Sequence, residues 1–110
     1  MTEPRTIDQP AQLVGLIDFQ DDSIVSRVLL KSPAGTVTLF AFDAGQELSE
    51  HTAPFDALVH VLDGTAAITV GGVRHDVTAG QVIRLPAGIP HAVAATARFR
   101  MLLTMIRDKG

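Results

Sequence analysis

Short runs of strand-forming residues, separated by turn residues at regular intervals, constrain the fold of this chain more than any other feature. Such runs occupy residues 37–40, 67–70 and 101–103, and breaks such as Asp63-Gly64 and Gly71-Gly72 separate them from their neighbours. Turns at intervals of roughly 8–12 residues are typical of all-β sandwiches and barrels. No segment sustains the apolar period of about 3.6 residues that marks an amphipathic helix. We therefore expect an all-β fold with little helix.

The length and composition of the chain are those of one globular domain. Its 110 residues are 46% hydrophobic and 19% charged, which is enough apolar material to fill a core. The first ten residues are mostly polar and contain Pro4 and Pro10, so we predict a flexible N-terminal arm over residues 1–10. Residues 11–110 keep one uniform texture and are predicted to form a single barrel domain.

Charge and residue usage argue against several classes of function. Nine Lys and Arg residues against twelve Asp and Glu residues give a net charge of −3, which leaves no basic excess for nucleic-acid phosphates. The absence of cysteine removes disulfides, thiolate zinc sites and cysteine nucleophiles. No run approaches the roughly 20 apolar residues that cross a bilayer, and the N-terminus lacks the apolar stretch of a signal peptide. We therefore expect a cytoplasmic protein that binds neither nucleic acid nor membranes.

Several predicted strands are apolar on both faces. Val28 and Leu30 share one face of a strand, while Val25 and Leu29 share the other. A barrel of this length has one interior, so an apolar outer face needs a second cover. A partner subunit would supply it, which predicts a homodimer. The alternative is that the N-terminal part of the same chain covers this face.

Two segments combine glycine, proline and histidine at spacings that a barrel can use. The first contains Gly45, His51 and Gly64, and the second contains Gly80, Pro86, Gly88 and His91. Glycine fits where a strand ends and reverses, and the proline-rich link over residues 86–90 can set His91 at the start of a strand. With His51 near the end of another strand, the two imidazoles can meet at one end of a barrel.

These spacings resemble the two motifs of the cupins, over roughly residues 39–105. The resemblance implies a single small cupin with a double-stranded β-helix, that is, a jelly-roll barrel. In cupins, three histidines and a glutamate usually hold one divalent metal inside the barrel. His51 and His91 match two of those histidines, whereas Ala53 and Ala57 stand at the positions of the remaining histidine and the glutamate.

The partial ligand set leads to a hypothesis about metal binding. His51 and His91 would bind one divalent transition metal, with zinc, iron, manganese, nickel and copper all compatible with imidazole ligands. His60 is the candidate third ligand, provided that a β-bulge over residues 54–56 turns it inward together with Asp56, which would be a ligand or an orienting group. Regular alternation from Ala57 would instead place His60 on the opposite face, at a dimer interface.

Three functions remain open at this point. The chain could be a metal-dependent enzyme that acts on a small molecule through open coordination positions. It could also be a non-catalytic, metal-free module that holds a small ligand, because Ala53 and Ala57 would make the pocket larger and more apolar. Phe55 and Asp56 would then line the mouth of that pocket. The third possibility is a dimeric structural module.

Overall fold

The computed structural model describes residues 7–107, which form one short 3₁₀ turn and nine strands. The turn spans Leu13–Leu16, and the strands are β1 (Ile24–Ser32), β2 (Gly35–Phe42), β3 (Glu47–His51), β4 (Asp56–Asp63), β5 (Thr65–Val70), β6 (Val73–Thr78), β7 (Val82–Leu85), β8 (His91–Ala94) and β9 (Phe99–Ile106). The predicted all-β fold with little helix is confirmed. No helix among the described residues is long and apolar enough to span a membrane.

The strands form two antiparallel sheets that face each other. The five-stranded sheet has the order β1-β2-β9-β4-β7, and the four-stranded sheet has the order β3-β8-β5-β6. Most neighbours in each sheet are distant in sequence, which is the pairing of a jelly roll rather than of a simple meander. Consequently β3 lies beside β8, although some forty residues separate them in the chain.

The barrel interior is tightly filled at one end, which we call the closed end. It is formed by Phe42, Val61, Ala66 and Phe99, all of them fully buried. The rings of Phe42 and Phe99 stack with centroids 4.6 Å apart. The β4–β5 turn at Gly64 closes this end and brings the backbone against the start of β9.

The interior becomes progressively more accessible toward the opposite end, which we call the open end. Phe40, Ala57, Val70 and Leu103 point into the same core from four different strands, but each is only half-buried. On β2, β4, β5 and β9 alike, the inward residues nearer the closed end are buried. The barrel therefore has one sealed end and one end where apolar side chains remain within reach of solvent.

The outer face of the five-stranded sheet is covered in part by the chain's own N-terminal segment. Ile17 and the outward residues Leu39 and Ala41 form a second buried cluster, against which Leu13 and Phe19 pack. The N-terminal part of the chain thus covers part of this face, as expected if the chain covers its own apolar outer face without a partner subunit. The homodimer remains a prediction, since Leu30, Val82 and Leu58 are still 66%, 56% and 44% exposed.

Charged side chains fasten the N-terminal segment at the closed end. The guanidinium groups of Arg98 and Arg100 lie 5.0 Å and 4.3 Å from the centroid of the Phe19 ring. Arg98 also pairs with Asp43 at 2.7 Å, and this ion pair and hydrogen bond hold the pKa of the Asp43 carboxyl below its usual value. The predicted arm over residues 1–10 lies mostly outside the described residues, and its last four residues are exposed.

Gly64 and Gly45 provide a matched test of the closed end. Both have positive φ, +76° and +87°, but a Cβ atom at Gly64 would meet the Arg98 carbonyl oxygen and lie 2.8 Å from the Phe99 Cβ, whereas one at Gly45 meets nothing within 4 Å. Gly45→Ala is expected to lower the free energy of unfolding by about 1–2 kcal/mol, the usual cost of a side chain in this conformation. Gly64→Ala should cost clearly more in urea unfolding, and equal costs would contradict the close approach.

Candidate functional site

Two histidines come together at the open end of the barrel. His51 is the last residue of β3 and His91 is the first residue of β8, and they lie directly opposite each other in the antiparallel register. Their ring centroids are 4.5 Å apart with an interplanar angle of 69°. On its other side His91 pairs with Val70, one of the residues of the open end. The pairing of these two imidazoles was the central prediction from the motif spacing.

The link between β7 and β8 sets the position of His91. The Gly88 N–H donates a hydrogen bond to the Ala53 carbonyl at 2.8 Å, and the Ala87 N–H donates one to Asp56 Oδ1 at 2.8 Å. The link is thus tied to the chain that connects His51 with β4. Gly88 has a φ of +77°, which glycine adopts without strain. Asp56 therefore acts on the shape of the site through the link.

Both imidazoles use the same nitrogen to contact the backbone. Nδ1 of His51 lies 2.9 Å from the Ser49 carbonyl oxygen, and Nδ1 of His91 lies 3.3 Å from the Ile89 carbonyl oxygen. A carbonyl oxygen only accepts hydrogen bonds, so Nδ1 carries the proton in each ring. In the neutral rings, Nε2 is then left with a free lone pair. Carbonyl contacts of this kind commonly fix the tautomer of ligand-binding histidines.

The two rings differ in burial. His51 is exposed, whereas His91 is only 7% exposed. Burial lowers the pKa of His91 below 6.5, and the nearby His51 lowers it further, against the opposing effect of the Ile89 carbonyl. Nε2 of His91 has no hydrogen-bond partner within residues 7–107. In that part of the chain, Arg100 Nε is the side-chain nitrogen or oxygen that is both fully buried and unpaired, so Nε2 of His91 is not fully buried. The accessible part of His91 therefore includes this nitrogen.

The structure places His60 away from the histidine pair. The β4 register is unbroken from Asp56 to Val61 against β9 and from Ala57 to His60 against β7, so side chains alternate regularly along this strand. Val59 and Val61 fill the core, which leaves His60 on the opposite face between Leu102 and Val82. The structure therefore does not bring His60 to the histidine pair as a third metal ligand, because regular strand alternation persists along β4.

The same alternation directs the Asp56 side chain away from the histidine pair. Asp56 shares the outward phase of His60, it is exposed, and its Oδ1 already accepts the Ala87 N–H. Phe55 is half-buried just before β4, and the guanidinium of Arg107 lies 5.4 Å from its ring centroid. No pattern in the sequence singles out Arg107, because the contact depends on the β4–β9 pairing.

The residues at this end fit a four-ligand metal centre only in part. With metal–nitrogen distances near 2.1 Å, two imidazoles at right angles around one ion have centroids roughly 4.5 Å apart, so the spacing of the pair is suitable. However, residues 7–107 contain no group of three or more His, Cys, Asp or Glu side chains that could hold a metal ion. Ala53 and Ala57, both half-buried, contribute methyl groups where two ligands would be needed. Two nitrogens alone do not make a resident metal site.

Comparison with known proteins identifies the family. The sequence model of the cupin domain family, Cupin_2, matches residues 38–106, which is more than half of the chain and includes both histidines. The chain belongs to the cupin family. The predicted cupin barrel is thereby confirmed, together with the two facing sheets of the structure.

Similar proteins of known structure match almost the entire chain. A conserved protein of unknown function from Streptococcus pyogenes is 34% identical with a TM-score of 0.91, over 98% of this chain and 95% of that one. A cupin superfamily protein from Desulfitobacterium hafniense is 30% identical with a TM-score of 0.88, over 96% of this chain and 97% of that one. These matches establish the architecture, and neither name states an activity.

A curated relative also gives no activity. An uncharacterized protein of Streptomyces coelicolor is 41% identical over 56 residues, which is 51% of this chain. The match spans about half, 53%, of that relative's own length. The function of this cupin must therefore be argued from its own site.

The burial of His91 predicts a pH dependence of stability. Its pKa in the folded protein lies below 6.5, so the unfolded chain binds the proton more readily. The free energy of unfolding should therefore fall as the pH drops below about 6.5 toward the lower pKa of the folded state. His91→Gln cannot titrate, and it should flatten this part of the profile in urea unfolding between about pH 7.5 and pH 5. An unchanged slope in His91→Gln would show that another group causes the dependence.

Proposed function

We propose that this cupin binds a small organic molecule at the open end of its barrel, with His51 and His91 as its polar contacts. One observation carries the proposal. Each imidazole ring donates a hydrogen bond from Nδ1 to a backbone carbonyl, which leaves its Nε2 lone pair free. Both rings lie at the end of the barrel where the apolar interior is only half-buried. Apolar walls with a few convergent polar atoms are typical of small-molecule sites.

The wall of the site supports binding of an apolar group. Phe40, Val70 and Leu103 line the open end, and each keeps part of its apolar surface accessible. Ala53 and Ala57 are both half-buried and add no polar side-chain atoms at the positions where the family's other two ligands would stand. A ligand that covered these residues would gain roughly 25 cal/mol for each Å² of apolar surface removed from water.

Divalent metal binding is the second candidate. It is favoured by the spacing of the two rings and by the free Nε2 lone pair on each. His51 and His91 would hold the ion, and water or a small molecule would have to supply the remaining ligands. Because the chain provides two nitrogens where stable sites use three or four ligands, we expect weak binding that exchanges readily.

The homodimer predicted from the sequence is retained as a proposal. Leu30, Leu58 and Val82 lie on the outer face of the five-stranded sheet, beyond the part that the N-terminal segment covers. A second subunit packed on this face would bury them and would place His60 in the interface, since His60 pairs with Val82 and shares the outward face of β4 with Leu58.

Filling the open end tests small-molecule binding. Ala57 points inward and is half-buried, so Ala57→Leu should fill part of the open end without changing either histidine. In a fragment screen followed by amide chemical shifts, the wild type should show shifts in β3, β8 and the start of β4. Ala57→Leu should weaken these by about tenfold or more. Ala97→Leu, at an exposed turn position, is the control and should bind as the wild type does. Equal binding by Ala57→Leu would place the ligand elsewhere.

Restoring the missing ligands tests whether the alanines limit metal binding. Ala53→His combined with Ala57→Glu returns a histidine and a carboxylate to the family's ligand positions. The double variant should bind cobalt(II) at least about a hundredfold more tightly than the wild type, measured by the visible absorption of the bound ion. Wild-type affinity equal to that of the double variant would show that the two histidines already suffice.

A further inference from the structure

The orientation of the histidine pair restricts the chemistry of the ligand. Building on the proposed small-molecule site, we infer that the ligand is a neutral, largely apolar molecule that donates a hydrogen bond to Nε2, as an alcohol or a phenol does. A carboxylate, which only accepts at neutral pH, is excluded from this role.

The first argument is the hydrogen-bonding polarity of the two rings. Each Nδ1–H already donates to a backbone carbonyl, of Ser49 in one case and of Ile89 in the other. Neither ring has another N–H to offer in its neutral form, so a ligand in contact with Nε2 must be the donor. A ligand without a donor would cover an acceptor nitrogen and remove it from water without replacement, which costs free energy.

The second argument is the charge around the pair. The segment over residues 45–57 contains Glu47, Glu50 and Asp56 but no Lys or Arg, and the segment over residues 85–97 contains no charged residue. The two segments that carry the histidines therefore have three carboxylates and no cation to balance an incoming anion. The guanidinium of Arg107 lies over the Phe55 ring. An anion at Nε2 would find neither a hydrogen-bond donor nor a balancing cation in these two segments.

The third argument concerns organic cations. An ammonium group could donate to Nε2, but a desolvated charge needs a paired counter-charge. Glu47 and Glu50 are exposed on β3, and Asp56 lies on the outward face of β4 with the Ala87 N–H. Among residues 7–107, none of the three carboxylates forms an ion pair or hydrogen bond with either imidazole ring. A neutral hydroxyl satisfies the acceptor without this cost.

The burial difference between the rings indicates where the donor lies. His91 is almost fully buried and keeps only a small accessible area, which includes Nε2, while His51 is exposed at the rim. A hydroxyl bonded to His91 would thus place the apolar part of its molecule against Val70, the cross-strand neighbour of His91. His91 is expected to contribute more to recognition than His51.

Three probes of similar shape test this inference: phenol, its methyl ether anisole, and benzoate. Binding to the full-length, untagged protein would be followed through the imidazole nitrogen shifts of His51 and His91 and through backbone amide shifts. Phenol should bind about three- to tenfold more tightly than anisole, which is the effect of one buried neutral hydrogen bond, and should move the Nε2 resonance of His91. Benzoate should cause no shift at the pair.

A matched variant isolates the acceptor. His91→Phe keeps a flat ring of similar size but removes Nε2, so phenol and anisole should bind this variant equally. The fold of the variant would be checked by its amide spectrum, and His51→Phe provides a second variant if His91→Phe does not fold. A phenol preference that survives the loss of both rings would overturn the inference.

The outcomes separate the ligand class from the proposed site. If benzoate bound at the pair as tightly as phenol, or anisole equalled phenol in the wild type, the donor requirement would be wrong while small-molecule binding at the open end would stand. If none of the three probes, nor any member of the fragment screen, shifted residues of β3 or β8, the proposed function itself would fail, and the inference with it.

Discussion

The site depends on the hydrogen bonds that tie the β7–β8 link to the chain following His51. Gly88 donates to Ala53, and Ala87 donates to Asp56, so the two segments that carry the histidines are held together before any ligand is present. Since the link is rich in proline and glycine, few conformations compete with the observed one. These bonds stabilise the arrangement in which His51 lies opposite His91 in the β3–β8 register.

The two ends of the barrel have separate tasks. The stacked rings of Phe42 and Phe99 seal the closed end, and the Phe19 ring beneath Arg98 and Arg100 fastens the N-terminal segment to the outside of the same end. Packing there supplies much of the stability that a domain of this size needs. The open end can consequently leave apolar side chains half-buried, which is the condition for binding a small molecule without first unpacking the core.

Sequence reasoning predicted what depends on local chemistry and family spacing. Turn glycines such as Gly64, the proline-rich link and the meeting of His51 with His91 all follow from residue type at a given position. The orientation of His60 was left open, because a one-residue bulge reverses every side chain of a strand and no residue type marks it. The N-terminal segment covers Leu39 through a long-range contact, which motif spacing does not predict. The tautomers of His51 and His91 depend on two backbone carbonyl groups, so spacing does not predict them either.

The central claim, which rests on the proposed function, is that the open end is an apolar site with two acceptor nitrogens, because Ala53 and Ala57 stand where a cupin metal centre needs two further ligands. The most direct test is elemental analysis of the untagged protein, purified without chelators and compared with His91→Ala. The account predicts far less than one equivalent of any transition metal per chain, with no difference between the two proteins. About one equivalent in the wild type, lost in His91→Ala, would contradict it.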